Sequence, residues 1–321
     1  MISEPKKHLS YWIPLKQQMK EIELLDPYAV PYKGIYAICN EDNTLAEIIE
    51  DSNCYGGAAW SRYHYSHSPL ILNTRVLGNM NRFLVKTGCE KLNLIPSSAA
   101  AGIEAVEVKG SDVKITYAGL GGGGVGATRC RAMARGVLNT SLTKSGGGRA
   151  AKGTIVVPRR ERVLIGIDDT DTKDEGATWC LTHNIAHCVD SLDSVYLSQS
   201  LVQLYPVSAK TQNCVSTVLE FGCVNKNAKK ELLESIRGAL EKYSVSGETG
   251  MVALSSFEAR EAYEYSKLCR SGELTHAFAK QYAEENGIEI WMDGNGLIGA
   301  LAAIAWFARP DESVIMDAEI L

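Results

Sequence analysis

Three aspartates and one hydroxyl close the segment Val163-Leu164-Ile165-Gly166-Ile167-Asp168-Asp169-Thr170-Asp171. Its apolar, β-branched run reads as a buried strand, and the end of that strand turns abruptly anionic. Carboxylates held this close repel one another unless a cation or hydrogen-bond donors compensate them. A hard cation such as Mg2+ prefers carboxylate oxygen and commonly brings phosphate with it. Asp168, Asp169 and Asp171 are therefore candidate ligands of a metal–nucleotide site. The same residues in a solvated turn would cap the helix that follows.

Four further segments carry groups that could do chemistry. Gly121-Gly122-Gly123-Gly124 stands before a helix bearing Arg129, Arg131 and Arg135, and consecutive glycine amides can turn toward an anion. This run matches neither GxGxxG with an acidic partner nor GxxxxGK[ST], and a tight strand-to-helix crossing uses similar glycines. The loop Tyr205–Cys214 presents Lys210, Thr211 and Asn213, a point charge and two orienting groups suited to phosphate. Cys180, His183 and His187 share one face of a predicted helix, but one helix cannot complete a tetrahedral shell. Finally, residues 53–67 interleave aromatic, basic and imidazole groups, as single-stranded nucleic-acid binders do. There Cys54 is a candidate nucleophile, with His64 and His67 as bases.

The elements that position these groups can be read from patterning. Strands are expected at 35–39, 45–49, 70–76, 82–85, 154–157, 163–167, 195–202, 214–221, 249–254 and 288–292. Residues 106–117 read as a hairpin turning at Gly110-Ser111-Asp112. Helices are expected at 127–138, 178–190, 229–243, 257–270, 275–286 and 297–307, with partial helix before Asp26-Pro27. The fold class is therefore α/β in the broad sense, α+β in detail. A domain boundary at 158–162, beside Pro158, divides a domain 1–160 from a domain 161–321.

The formal net charge of -5 conceals a division. Residues 61–160 hold 15 basic and 4 acidic groups, whereas residues 161–321 hold 13 basic and 25 acidic ones. A basic module facing RNA, a nucleotide phosphate or its own acidic partner domain would account for this. Nine cysteines without a CxxC pair fit reduced thiols better than a disulfide framework or a zinc ribbon. No apolar run approaches membrane-spanning length and the first residues lack a signal-peptide core, so a cytoplasmic location is expected.

The ordered set Ile165–Asp171, Gly176-Ala177-Thr178, Lys210–Asn213 and Gly296–Ile304 resembles the catalytic region of archaeal agmatidine synthase over about residues 162–305. That enzyme uses ATP to activate the C2 carbonyl of a tRNA anticodon cytidine, then attaches agmatine. With Gly121–Thr128 and Trp306–Ser313 included, the whole chain is similar to methanogenesis marker protein 11.

The resemblance implies kinase-like and ferredoxin-like elements in the C-terminal domain. It implies that Asp168, Asp169 and Asp171 hold Mg2+ and ATP phosphates, with Thr170 and Gly176 beside them. Thr178 falls where the synthase has a threonine next to the transferred phosphate. Lys210, Thr211 and Asn213 match a phosphate loop in which Gln212 replaces an Arg-Gly pair. Gly296 and Gly299 match the motif lining the synthase's substrate side. The synthase's tRNA-gripping OB-fold and zinc ribbon have no counterpart. The expected function is a methanogen-associated, Mg2+- and ATP-dependent enzyme that activates a substrate oxygen by phosphoryl transfer. Its substrate would be RNA or an anionic coenzyme. The alternative is a nucleotide-binding assembly or maturation factor that partners a methanogenesis protein without small-molecule turnover.

Overall fold

The computed structural model describes residues 26–144, 148–208, 210 and 213–316. Its first half contains β1 (Tyr32–Cys39), β2 (Leu45–Ser52), α1 (Tyr55–Tyr65), β3 (Ile71–Leu77), β4 (Met80–Lys86) and β5 (Gly88–Cys89). β6 (Ala101–Lys109), β7 (Asp112–Gly119), α2 (Val125–Ala132) and β8 (Asn139–Leu142) complete it. The next strand, β9 (Ala151–Asp168), is 18 residues long and belongs to both halves. After it come α3 (Thr178–Val189), β10 (Ser194–Gln203), β11 (Val215–Cys223), α4 (Lys226–Tyr243) and β12 (Gly250–Ser255). α5 (Tyr263–Ser271), α6 (His276–Glu285), β13 (Glu289–Asp293), α7 (Leu297–Ala303) and α8 (Pro310–Ser313) end the described chain.

β9 replaces the two strands expected on either side of residues 158–162. Proline cannot donate to a ladder, so Pro158 reads as a strand end. It lies opposite Asp112, at the end of the β7 ladder, and β1 takes over at Arg159 and Arg160. The missing N–H therefore falls where one neighbour leaves and another arrives. Beyond it, residues 161–167 pair with β11 and residues 163–168 with β12, both antiparallel.

The segment β9-α3-β10-β11-α4-β12 has strand neighbours β10-β11-β9-β12, with β13 added outside β12. This is a β-α-β-β-α-β ferredoxin-like unit within an α+β fold. Alternation along β9 divides its two faces. Val163, Ile165 and Ile167 pack with Ile185 of α3 and Leu233 and Ile236 of α4. Leu164 packs with Tyr265 of α5, Ala279 of α6 and Leu301 of α7. α4 illustrates why such helices form: Asn225 caps it by accepting from the Ala228 amide at 2.9 Å. Its buried residues, Ala228, Leu232, Leu233, Ile236 and Leu240, recur at helical spacing.

Departures from the sequence reading lie mostly in the first half. α2 stops at Ala132 instead of continuing to 138, because Gly136 adopts φ +93 and the chain turns into β8, an unexpected strand. α1 was hidden by Gly56-Gly57, which have poor helix propensity. The β6–β7 hairpin turns as expected, with Gly110 at φ +61. The expected partial helix before Asp26 lies outside the described residues. Among the described residues, no helix is long and apolar enough to cross a membrane.

The halves are joined by more than β9. Tyr36, Ile38 and Ile49 share an apolar cluster with Val195 and Leu197. Arg160 donates to the carbonyls of Leu192 at 2.6 Å and Gly222 at 3.1 Å. Arg135 pairs with Asp190 at 2.5 Å. Deeper still, Arg82 meets Glu220 at 2.6 Å and Arg162 meets Glu220 at 2.8 Å, while Arg162 also bonds Glu47. Burial opposes the charge on Glu220, but Arg82 and Arg162 outweigh it and hold its pKa at about 2.

Removing one member of a buried ion pair leaves the other uncompensated. Glu220→Gln is therefore expected to lower stability by about 3–5 kcal/mol, measured by urea unfolding. A change within experimental error would assign the junction's strength to the apolar cluster alone. Because the folded pKa of Glu220 is depressed, its stabilisation is present above 4.5 and lost as pH falls toward about 2. Unfolding midpoints across that acid range should fall more steeply in wild type than in Glu220→Gln.

Candidate active site at the end of the central strand

Asp168 is the last residue of β9, on the face that carries Leu164 and Gly166. α7 crosses that face with almost no side chain between the two backbones. A Cβ on Gly166 would lie 1.9 Å from the Ala300 carbonyl oxygen, and one on Gly250 would lie 2.1 Å from the Leu297 nitrogen. At the start of α7, a Cβ on Gly299 would come within 1.8 Å of Asp168 Oδ2. A Cβ on Gly296 would come within 2.6 Å of the Asp168 carbonyl oxygen. The glycines thus let the helix settle against the strand end and hold the Asp168 carboxylate in the crevice between them.

The chain then reverses direction. Asp169 adopts φ +53, a left-handed conformation uncommon for a residue with a side chain. Its carbonyl accepts from Thr249 Oγ1 at 3.1 Å, and its amide donates to Asp168 Oδ1 at 3.0 Å. The Thr170 carbonyl accepts from the Val245 amide at 3.0 Å. Its amide and hydroxyl both donate to Thr178 Oγ1, at 3.2 and 3.1 Å. Gly176 adopts φ +95, and a Cβ there would press on Asp171 Cβ at 2.8 Å. The acidic loop is therefore fixed largely through its backbone, and Asp168, Asp169 and Asp171 line the cavity beside it.

That cavity has a volume of about 470 Å3. Asp168, Asp169, Asp171, Gly176, Thr178, Lys210, Asn213 and Gly299 all line it, bringing together the four sequence segments that the motif reading joined. Burial pushes the Asp168 carboxyl well above the usual carboxylate range, and the Asp169 charge adds to the effect. Burial also raises Asp169, followed by repulsion from Asp171 and Glu248. Groups in this condition gain from an added cation. Among the described residues, no three His, Cys, Asp or Glu converge on a ready-made metal cage. The donor set instead suits Mg2+ held by one or two carboxylates and completed by phosphate and water oxygens.

Several assigned residues occupy other roles. Thr170 is buried and spends its hydroxyl on Thr178, so it positions the loop instead of facing a ligand. Gly296 supports the strand end, outside the cavity lining. Thr211 and Gln212 lie outside the described residues. Gly121, Gly122, Gly123 and Gly124 connect β7 to α2 and do not line this cavity. Two of them are close-packed, since a Cβ on Gly124 would strike the Ala151 carbonyl oxygen at 1.9 Å and one on Gly123 would meet Ala101 at 2.8 Å, whereas Gly121 and Gly122 face open space. The nearby arginines are also committed, Arg129 to Asp26, Arg131 to Glu50 and Arg135 to Asp190.

The histidine and cysteine candidates do not line this cavity and form no three-ligand cluster among the described residues. His183 contacts Tyr196 at 3.2 Å and stacks edge-on with His187, their ring centroids 4.5 Å apart. Cys54 caps α1, its Sγ accepting from the Gly57 amide at 3.3 Å. His64 accepts from the Ala100 amide at 3.2 Å. The sequence reading missed the far wall of the acidic cavity, which includes Cys269, Leu274 and His276. Burial raises the Cys269 thiol to about 12, with Asp168 contributing, so it is a neutral wall group. No local motif marks these residues, because α5 and α6 reach the site only through the tertiary fold.

Residues 164–293 match the TiaS TCKD domain family. The chain is 42% identical over 283 residues to the uncharacterized protein MJ0921 of Methanocaldococcus jannaschii, a match covering 86% of this chain and 94% of that relative. Among solved structures, the TiaS–tRNA(Ile2)–ATP complex aligns with a TM-score of 0.42 at 22% identity. A tRNA fluorescent labeling enzyme aligns with a TM-score of 0.41, also at 22% identity. Each alignment covers 45% of this chain and 36% of the solved chain.

The close approach of α7 yields a direct test. Gly299→Ala should displace the Asp168 carboxylate and cost about 1–3 kcal/mol of stability through overpacking. Thermal unfolding and a crystal structure of the variant would check both effects. An unshifted carboxylate would show that the crevice tolerates a side chain.

Proposed function

The chain belongs to the same family as MJ0921 of Methanocaldococcus jannaschii, and we propose that it is an ATP-dependent enzyme transferring a phosphoryl group to a substrate oxygen. The observation that carries this reading is one cavity in which Asp168, Asp169, Thr178 and Lys210 meet, within the segment similar to the TiaS TCKD domain. Resemblance to agmatidine synthase gives the reading its reaction class. RNA or an anionic coenzyme is the proposed acceptor, in keeping with the basic stretch 61–160.

Asp168 and Asp169 would hold Mg2+ together with the phosphate oxygens, and Asp171 would support that arrangement from the loop. When bound, Mg2+ supplies Lewis-acid neutralisation of phosphate charge. Lys210 is exposed on the cavity wall, where its ammonium can balance charge developing on the transferred group. Thr178 sits at the first turn of α3 with its oxygen oriented by the two Thr170 donors. Asn213 offers an amide beside Lys210 on the same wall. Leu204, Tyr205, Val207 and Leu274 give an apolar surface for a planar base, and Trp179 stands half-exposed at the rim. In the transfer, the acceptor oxygen bonds to the γ-phosphorus as the bond to ADP breaks. An acceptor carbonyl becomes a better electrophile in this way, which prepares it for substitution by an amine.

Calorimetry with ATP, with and without Mg2+, tests the proposal. Wild type should bind Mg·ATP, Asp169→Asn should bind it about 1–3 kcal/mol more weakly, and Lys210→Ala should retain binding better than turnover. Absence of Mg2+-dependent binding in wild type would overturn the reading.

A further inference from the structure

A second cavity, of about 820 Å3, lies at the junction of the two halves. It is distinct from the acidic one and shares no lining residue with it. Arg75 of β3 and Arg82 of β4 reach it from the first half, Arg162 from β9, and Arg260 and Arg309 from the second half. Its apolar surface includes Phe257, Tyr263 and Phe307.

The ionic inventory beneath this cavity does not close. Arg75, Arg82 and Arg162 share two carboxylates, those of Glu47 and Glu220. Glu220 is fully buried, and its second oxygen already accepts from Ser198 Oγ at 2.7 Å. Arg82, also fully buried, uses Nη2 for both glutamates, while its Nε and Nη1 have no hydrogen-bond partner. The rim charges cancel in pairs, Arg260 with Glu258 and Arg309 with Glu312. One guanidinium charge is thus left over in a desolvated setting, where an uncompensated cation is strongly disfavoured. Arg75 connects this buried excess to solvent. It holds Glu47 at 2.5 Å and the Ala308 carbonyl at 2.8 Å, yet 28% of its side chain stays exposed.

We propose that the junction cavity binds a small organic oxyanion, a carboxylate or phosphate group carried on an aromatic-sized body. Arg75 and the rim guanidiniums grip the oxyanion in the forked geometry that suits it, and Arg82 supplies the balancing charge from below. Phe307 and Tyr263 cover the apolar body. A cation of the same size finds no acceptor excess here. This site stands independently of the acidic cavity, since a ligand that answers the charge of one is repelled by the other.

The test is calorimetric titration of the full chain with phenyl phosphate, benzoate and benzylamine. At least one of the two anions should bind, benzylamine should not, and the better anion identifies phosphate or carboxylate. Arg75→Gln should weaken that anion at least tenfold, with Arg309→Gln as a second, more exposed variant whose fold is least at risk. Asp169→Asn, altered only in the acidic cavity, should bind it with unchanged affinity. Failure of both anions to bind, wild-type affinity in both arginine variants, or loss of binding in Asp169→Asn would overturn the proposal.

Discussion

Where α7 settles onto β9, backbone meets backbone. Gly166, Gly250, Gly296 and Gly299 occupy the positions at which a Cβ would collide with the opposing chain. Close packing leaves little tolerance for such collisions, so the helix height, the strand end and the Asp168 carboxylate form one rigid unit. The left-handed Asp169 turn and the Thr170–Thr178 hydrogen bonds are built outward from that unit. A site that must present carboxylates to a cation needs this fixity, because repelling groups on a mobile loop would separate instead.

β9 extends the same rigidity across the molecule. One strand carries the acidic turn at its end, pairs with β11 and β12 around it, and meets the first half through the β1 ladder at Arg159 and Arg160 and the Arg162–Glu47 pair. The helical layer on its inner face meets both cavities, with Tyr263 near the start of α5 lining the junction and Cys269 near its end lining the acidic site. The two halves therefore share a continuous body, to which the basic half contributes the buried guanidiniums of Arg82, Arg131 and Arg160 while most of its lysines stay exposed. Part of the charge asymmetry in the sequence is spent on pairing across the junction, as in Arg82–Glu220 and Arg135–Asp190.

The two cavities have opposite electrostatic needs. In the first, burial and then repulsion among neighbouring carboxylates raise Asp168 and Asp169. In the second, guanidiniums outnumber carboxylates, and Glu47 and Glu220 are held low despite their burial. The proposed ligands oppose each imbalance in sign, Mg2+ with nucleotide at one and an oxyanion at the other.

The amino-acid sequence by itself determined most strands and helices of the second half, because their apolar periodicities are clean and their caps ordinary. It also determined the acidic turn, since a β-branched run broken by Asp168 and Asp169 has few other readings. Lys210, Asn213, Gly176 and Thr178 were legible as partners only as an ordered set of motifs. Only the tertiary structure decided that β9 passes through Pro158, because its tolerance there depends on which neighbour holds each side of the strand. Tertiary structure likewise turned Gly123 and Gly124 from candidate phosphate ligands into packing residues, and Arg82 and Arg162 into a buried network with Glu47 and Glu220. Local patterns report what a residue can do, whereas its final role depends on which distant backbone or charge lies within a few ångströms.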